Sequence, residues 1–189
     1  RPGDTVAVVG SGFMGLGFIQ LARVWGAGKV VAFDLNDWRL EQGLALGADA
    51  AINSGHVDGL EALKEINEGR GADSVIVTPN GTRAIQFGLD LAGKGATVHV
   101  FAPPHPDETL TLHPTDLFFR EITLTTTYSC NHLDTAQALK FIAGGRINAR
   151  AMITHRFGLD RVADGIALIQ QAGKSIKSVI KPALTPGLG

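Results

Sequence analysis

A single cysteine, Cys130, stands in 189 residues. That excludes an intrachain disulfide and a zinc site built from several thiolates. Aromatic residues are scarce, at 6 %. No apolar run approaches the roughly 20 residues that span a bilayer, and no leader pattern opens the sequence. Basic excess is lacking too. The 17 Lys and Arg face 18 Asp and Glu, for a formal net charge of −1, so a phosphate backbone finds little to hold it. The expectation is a cytoplasmic protein that partners neither nucleic acid nor membrane. Glycine, by contrast, is abundant at 24 residues, and 44 % of the chain is apolar against 19 % charged. Such a chain can bury a sizeable core and has no reason to stay disordered. Its length suits one large domain or one and a half small ones. It passes from Arg1-Pro2-Gly3-Asp4 directly into a strand, and reads as a piece of a longer protein.

The first strand, Thr5–Val9, is a short β-branched run without alternation, as befits a parallel strand buried on both faces. Phe18, Leu21, Ala22 and Trp25 then recur at helical spacing between Gly12 and Trp25. Further strands are predicted over residues 29–33, 50–52, 74–77 and 96–100, and helices over 37–46, 59–67 and 82–91. This β-α alternation forces a mainly parallel sheet with helices on both faces. Residues 101–114 read as a long loop, followed by a short helix at 115–119 and a sixth strand at 121–127. A helix at 135–143, strands near 152–157 and 178–181, and a helix near 159–171 depart from strict alternation. Residues 1–127 are thus expected to form a Rossmann doubly wound six-stranded domain. Residues 128–189 are expected to form a small α+β unit.

The strongest motif is Gly10-Ser11-Gly12-Phe13-Met14-Gly15, a G-x-G-x-x-G that follows a buried strand and opens a helix. Gly10 permits the tight turn, Gly12 lets a diphosphate approach the backbone, and Gly15 lets helix and strand pack closely. Unpaired N–H groups of the helix start then face the phosphates. Asp34 closes the second strand about 20 residues later, where a carboxylate accepts from adenosine ribose hydroxyls. No cation immediately follows it, which favours NAD over NADP. A helix N-cap role for Asp34 stays open, as does a choice for Arg39 between covering an adenine and being a solvated helix charge.

These segments resemble the medium-chain dehydrogenase superfamily, in its zinc-dependent alcohol, sorbitol and threonine dehydrogenase branch. The resemblance rests on Gly3 to Leu16 and on Gly47-Ala48-Asp49. It rests also on Gly71 to Ile76, Gly95 to Val98, Ile153 to Phe157 and Lys177 to Lys181. It implies a cofactor domain followed by the C-terminal part of a catalytic domain, with an N-terminal part lying outside this sequence. That part would carry the catalytic zinc and the proton relay, so the chain alone would bind cofactor without turning over alcohol. The resemblance also implies an alcohol or ketone substrate, a homo-oligomer, and further cofactor contacts at Thr78, Phe101, Thr126, Tyr128 and Lys177. Thr126 and Tyr128 would meet the nicotinamide carboxamide mostly through backbone. Tyr128 is open between a substrate-cleft wall and a partly buried seam residue. Lys177, on the pyrophosphate, lacks the bidentate fork of an Arg; a solvated charge is its plainer reading. Cys130 with His132 makes at best a weak zinc pair, His99 reads as a core histidine, and His105 and His113 read as loop residues. A stand-alone NAD-sensing module and a zinc-free NAD(P)H reductase are the competing readings. The tail segments argue against the first and the form of the glycine turn against the second. The Thr-rich sixth strand is a candidate edge for pairing with a second copy.

Overall fold

A computed structural model describes residues 1–171 and 173–184. Six parallel strands form the main sheet: β1 (Thr5–Val9), β2 (Lys29–Asp34), β3 (Ala50–Asn53), β4 (Ala72–Val77), β5 (Ala92–Val100) and β6 (Thr123–Thr126). Their order is β3-β2-β1-β4-β5-β6. The chain winds outward from β1 in one direction, returns, and winds outward from β4 in the other. The carboxyl ends of β1 and β4 therefore flank the point where strand order reverses, which is where open α/β sheets bind ligands.

Helices cover both faces because alternate strand residues are apolar on both sides. Val6, Val8, Val30 and Ala32 point to one face, where α1 (Phe13–Val24) and α2 (Asp37–Ala45) bury Leu16, Ile19 and Leu40. Ala7, Val9, Val31 and Phe33 point to the other, where α3 (Gly59–Ile66) and α4 (Thr82–Leu91) bury Leu63, Ile85 and Leu89. The short helix α5 (Pro114–Arg120) adds Leu117 to that side.

The tail comprises α6 (His132–Ala143), β7 (Ile153–Phe157), α7 (Val162–Gln170) and β8 (Lys177–Ile180). β7 and β8 pair in parallel as a separate small sheet. Ile147, Ala149, Met152 and Ile176 seat this unit on the α1–α2 face. No helix among the described residues is long and apolar enough to cross a membrane.

The helical stripe read in the sequence is not the most buried side of α1. Leu16, Ile19 and Gln20 are its buried side chains, while Trp25 caps the helix and is 62 % exposed. Phe18, Leu21 and Trp25 instead line a shallow apolar hollow with Phe101 and His99. The polar Gln20 is buried because it ties α1 to the tail: its Oε1 accepts from the Asn148 N–H at 2.6 Å and its Nε2 donates to the Leu16 carbonyl at 3.3 Å. α6 starts three residues before its expected Thr135. Asn131 caps it in a reciprocal box with Asp134, and that cap outranks the β-branched Thr as a start signal.

Candidate functional site

The β1–α1 turn is fixed by close contacts that only glycine permits. Gly10 has φ +85°, and a Cβ there would lie 2.5 Å from the Thr78 hydroxyl oxygen. A Cβ on Gly15 would lie 1.7 Å from the Gly10 carbonyl oxygen, so the helix starts hard against the strand end. Thr78, just past β4, locks the turn from beside it. Its N–H donates to the Val9 carbonyl at 3.0 Å, and its hydroxyl lies 2.9 and 3.1 Å from the Val9 and Gly10 carbonyl oxygens. Gly12 differs from both neighbours. A Cβ there would meet nothing within 4 Å, because the residue faces an open cleft. Gly12 is also the N-cap of α1 and offers no side-chain cap. The first-turn N–H groups, which have no partner inside a helix, are left to whatever enters the cleft.

Asp34 stands across from the turn. Its Oδ2 accepts from the Ser11 N–H at 2.6 Å. Its Oδ1 accepts from the N–H groups of Leu35 at 2.8 Å and Asn36 at 2.9 Å. A carboxylate offers about four acceptor positions, so acceptor capacity remains on Oδ2. The cap of α2 is Asn36, whose side chain accepts from the Arg39 N–H. Asp34 is thus a turn-bracing carboxylate on the cleft wall and not the helix cap.

The cleft measures ≈ 810 Å³ and brings together Gly10, Gly12, Phe13, Met14, Asp34, Arg39 and Thr78. Arg39 Nε is buried with no hydrogen-bond partner among the described residues. Lys177 reaches the same turn from β8, its Nζ 4.8 Å from the centroid of the Phe13 ring. Phe101 goes elsewhere: its ring packs edge-on against Phe18 at 5.4 Å and lines the apolar hollow on the α1 side. Thr126 is exposed on the edge strand β6, and Tyr128 is 99 % exposed, so neither lines the cleft. The partly buried alternative for Tyr128 is corrected: among the described residues nothing packs over it.

Arg83, Asn80 and Phe87 line the cleft without having been singled out in the sequence. Their available signal was position, since the start of the helix after β4 lies at the switch point. Glu108 was missed as well. It reaches back from the long loop to the start of α4, accepting from the Thr82 N–H at 2.7 Å and from its hydroxyl at 2.9 Å. Those two donors hold the Glu108 carboxyl below its ordinary pKa. At the opposite end of the sheet a second opening is rimmed by Lys64, Arg70, Lys94 and Arg120. There Arg120 donates to the carbonyls of Leu89 and Ala92 at the carboxyl end of α4, and Asp73 and Asp90 share the lining. That arrangement serves the helix dipole.

His99 is half-buried beside Thr127, and burial pushes its pKa down. Cys130 is exposed. Among the described residues no group of three or more His, Cys, Asp or Glu side chains is placed to hold a metal ion, so the residues present do not fit a catalytic zinc.

Residues 14–144 match the zinc-binding dehydrogenase family. The chain is 33 % identical over 181 residues to L-threonine 3-dehydrogenase of Bacillus licheniformis, covering 92 % of this chain and 51 % of that protein. It superposes on the alcohol dehydrogenase of Thermus sp. ATN1 with a TM-score of 0.87 and 26 % identity, covering 94 % of this chain and 51 % of that one. A structure from Sinorhizobium meliloti 1021 bound to NADP gives a TM-score of 0.86 at 27 % identity, over 96 % of this chain and 53 % of that one. The chain spans about half the length of the curated relatives it matches. With the glycine turn, the switch-point cleft and the six-stranded order all falling within or beside the matched stretch, the chain belongs to the zinc-binding dehydrogenase family.

Proposed function

We propose that this chain is the dinucleotide-binding part of an NAD-dependent alcohol or polyol dehydrogenase. The observation that supports it most is the uncapped start of α1 opening on the cleft at Gly12, with the Asp34 carboxylate on the facing wall. An anion fits the first and a ribose diol fits the second. When bound, the cofactor would supply a hydride acceptor for an alcohol and a hydride donor for a ketone. This chain's share is positioning. The N–H groups of Phe13, Met14 and Gly15 hold the diphosphate, with the Lys177 ammonium beside them. Asp34 accepts from the ribose through its remaining Oδ2 capacity and repels a 2′-phosphate. Arg39 flanks the adenine. Thr78 keeps the turn in register. Thr126 and Tyr128 meet the carboxamide by backbone at the ends of β5 and β6, near Phe101.

Residues 1–127 act as the cofactor domain and 128–189 as part of a catalytic domain completed elsewhere in the whole protein. Zinc and the proton relay belong to that other part, so this chain alone binds NAD and does not oxidise alcohol. The free edge of β6 pairs with a second copy.

Calorimetry with NAD and NADP tests the reading. One NAD per chain, bound more tightly than NADP, is expected; no binding of NAD at millimolar concentration refutes it. One observation favours a second reading in which NADP is the better ligand. Arg39 carries a buried Nε with no hydrogen-bond partner among the described residues and shares the cleft with Arg83, so two guanidinium groups are at hand for a 2′-phosphate. The same titration separates the two.

A further inference from the structure

Lys177 is misplaced for a free protein. Its ammonium sits over the ring of the first residue of α1, at the positive end of that helix dipole. A cation there is unfavourable. No carboxylate pairs with it among the described residues, although ion pairs are made elsewhere on the surface. The placement is nonetheless built. Thr154 accepts from the Ile176 N–H at 3.1 Å and donates to the Lys177 carbonyl at 3.3 Å, fixing the backbone at the start of β8. Ile176 packs into the α1–α2 face and anchors the same residues. Phe13 is itself half-buried against that core, so its ring presents a steady π-face. The favourable term holding the charge in place is cation–π attraction at 4.8 Å.

We propose that Phe13 is a positioning residue. Its ring parks the Lys177 ammonium at the mouth of the diphosphate cradle, and an entering diphosphate takes the ammonium from the ring. A phosphate between the helix start and Lys177 turns an unfavourable cation–dipole pair into two favourable anion contacts. The C-terminal unit is thereby clamped onto the α1 turn when ligand is present. The inference rests on the dinucleotide reading and adds to it a role for the Phe13 side chain, distinct from its backbone N–H.

The test uses chain labelled with 13C at lysine Cε, with ADP and inorganic pyrophosphate as probes. In the ligand-free chain one lysine ε-methylene is expected to be shifted upfield by the Phe13 ring. That shift disappears in Phe13→Leu, persists in Phe13→Tyr, and disappears in the wild type on saturation with ADP. Calorimetry then completes a double-mutant cycle. Lys177→Met weakens ADP at least tenfold, whereas Phe13→Leu tightens it about threefold, because the ring holds the ammonium only in the free chain. Phe13→Leu has no further effect once Lys177 is Met, and Phe13→Tyr restores wild-type affinity. A purely packing role for Phe13 predicts instead that Phe13→Leu weakens ADP with or without the Lys177 ammonium and that urea midpoints track affinity; either result overturns the proposal. So does an upfield methylene that persists in saturating ADP. If the wild type binds neither ADP nor NAD, the dinucleotide reading falls and the proposal with it. If it binds both but the cycle is additive, the Phe13 role falls alone.

Discussion

Gly12→Ala separates ligand recognition from folding at one atom. Gly12 has φ −74° and ψ −168°, a conformation open to any residue, and a Cβ there meets nothing within 4 Å. The fold therefore loses only the difference between Gly and Ala at an N-cap, about 0.5–1 kcal/mol. For a chain of this size that lowers the melting temperature by about 2–3 °C. Binding suffers more. A methyl carbon keeps other heavy atoms about 3.5 Å away, too far for a phosphate oxygen to reach the first-turn N–H groups. Two charge-assisted hydrogen bonds, each worth about 1.5–3 kcal/mol, are weakened or lost. A total of about 3 kcal/mol corresponds to roughly a hundredfold in affinity. The assay is calorimetric titration of NAD and ADP into the wild type and the variant, with thermal melts alongside. An alanine variant that stays folded and binds NAD within threefold of the wild type would refute the claim that the diphosphate lies against Gly12.

Gly15→Ala is expected to do the reverse. Its Cβ would fall 1.7 Å from the Gly10 carbonyl oxygen, so the helix must move off the strand, at a cost of about 3 kcal/mol or more, read as a lowered urea midpoint. Asp34→Asn removes the charge that, under the proposed function, repels a 2′-phosphate; NAD affinity is expected to fall several-fold and the gap to NADP to narrow in the same titration. Asp49 supplies a pH dependence. Burial alone would raise its pKa, but the Val30 N–H and the Arg23 guanidinium outweigh that and hold it below the ordinary value. Its folded pKa being depressed, its contribution is complete above the unfolded pKa and is lost as pH falls through the folded one. Urea midpoints are expected to drop from pH 5 to pH 3, and less steeply in Asp49→Asn.

The element order was legible because parallel strands buried on both faces leave β-branched runs, and the glycines between them leave punctuation. The glycine turn and Asp34 were legible for the same reason: backbone geometry restricts which residues fit. What the sequence did not disclose were matters of orientation. The stripe Phe18, Leu21, Trp25 is as helical as Leu16, Ile19, and only the sheet decides which one is inward. Gln20 hid because a polar residue on an apolar face needs its partner, Asn148, to explain it, and that partner lies 128 positions away. Arg83 and Glu108 hid because their meaning comes from where β4 and the loop after β5 end. Phe101 sits at the expected strand end, yet Phe18 draws its ring to the other side of the sheet.

The bracing of the Ser11 amide by the Asp34 carboxylate has a consequence for redesign. Under the proposed function, the group that would discriminate between two nucleotides is also a strut of the pocket wall. Exchanging it for a side chain with no acceptor oxygen, to welcome a phosphorylated coenzyme, would unhook the opposite wall at the same stroke. A successful exchange must therefore keep an oxygen within reach of residue 11, as serine or asparagine can and alanine cannot. On that reading cofactor preference comes along with rigidity, and the two would have to be altered together.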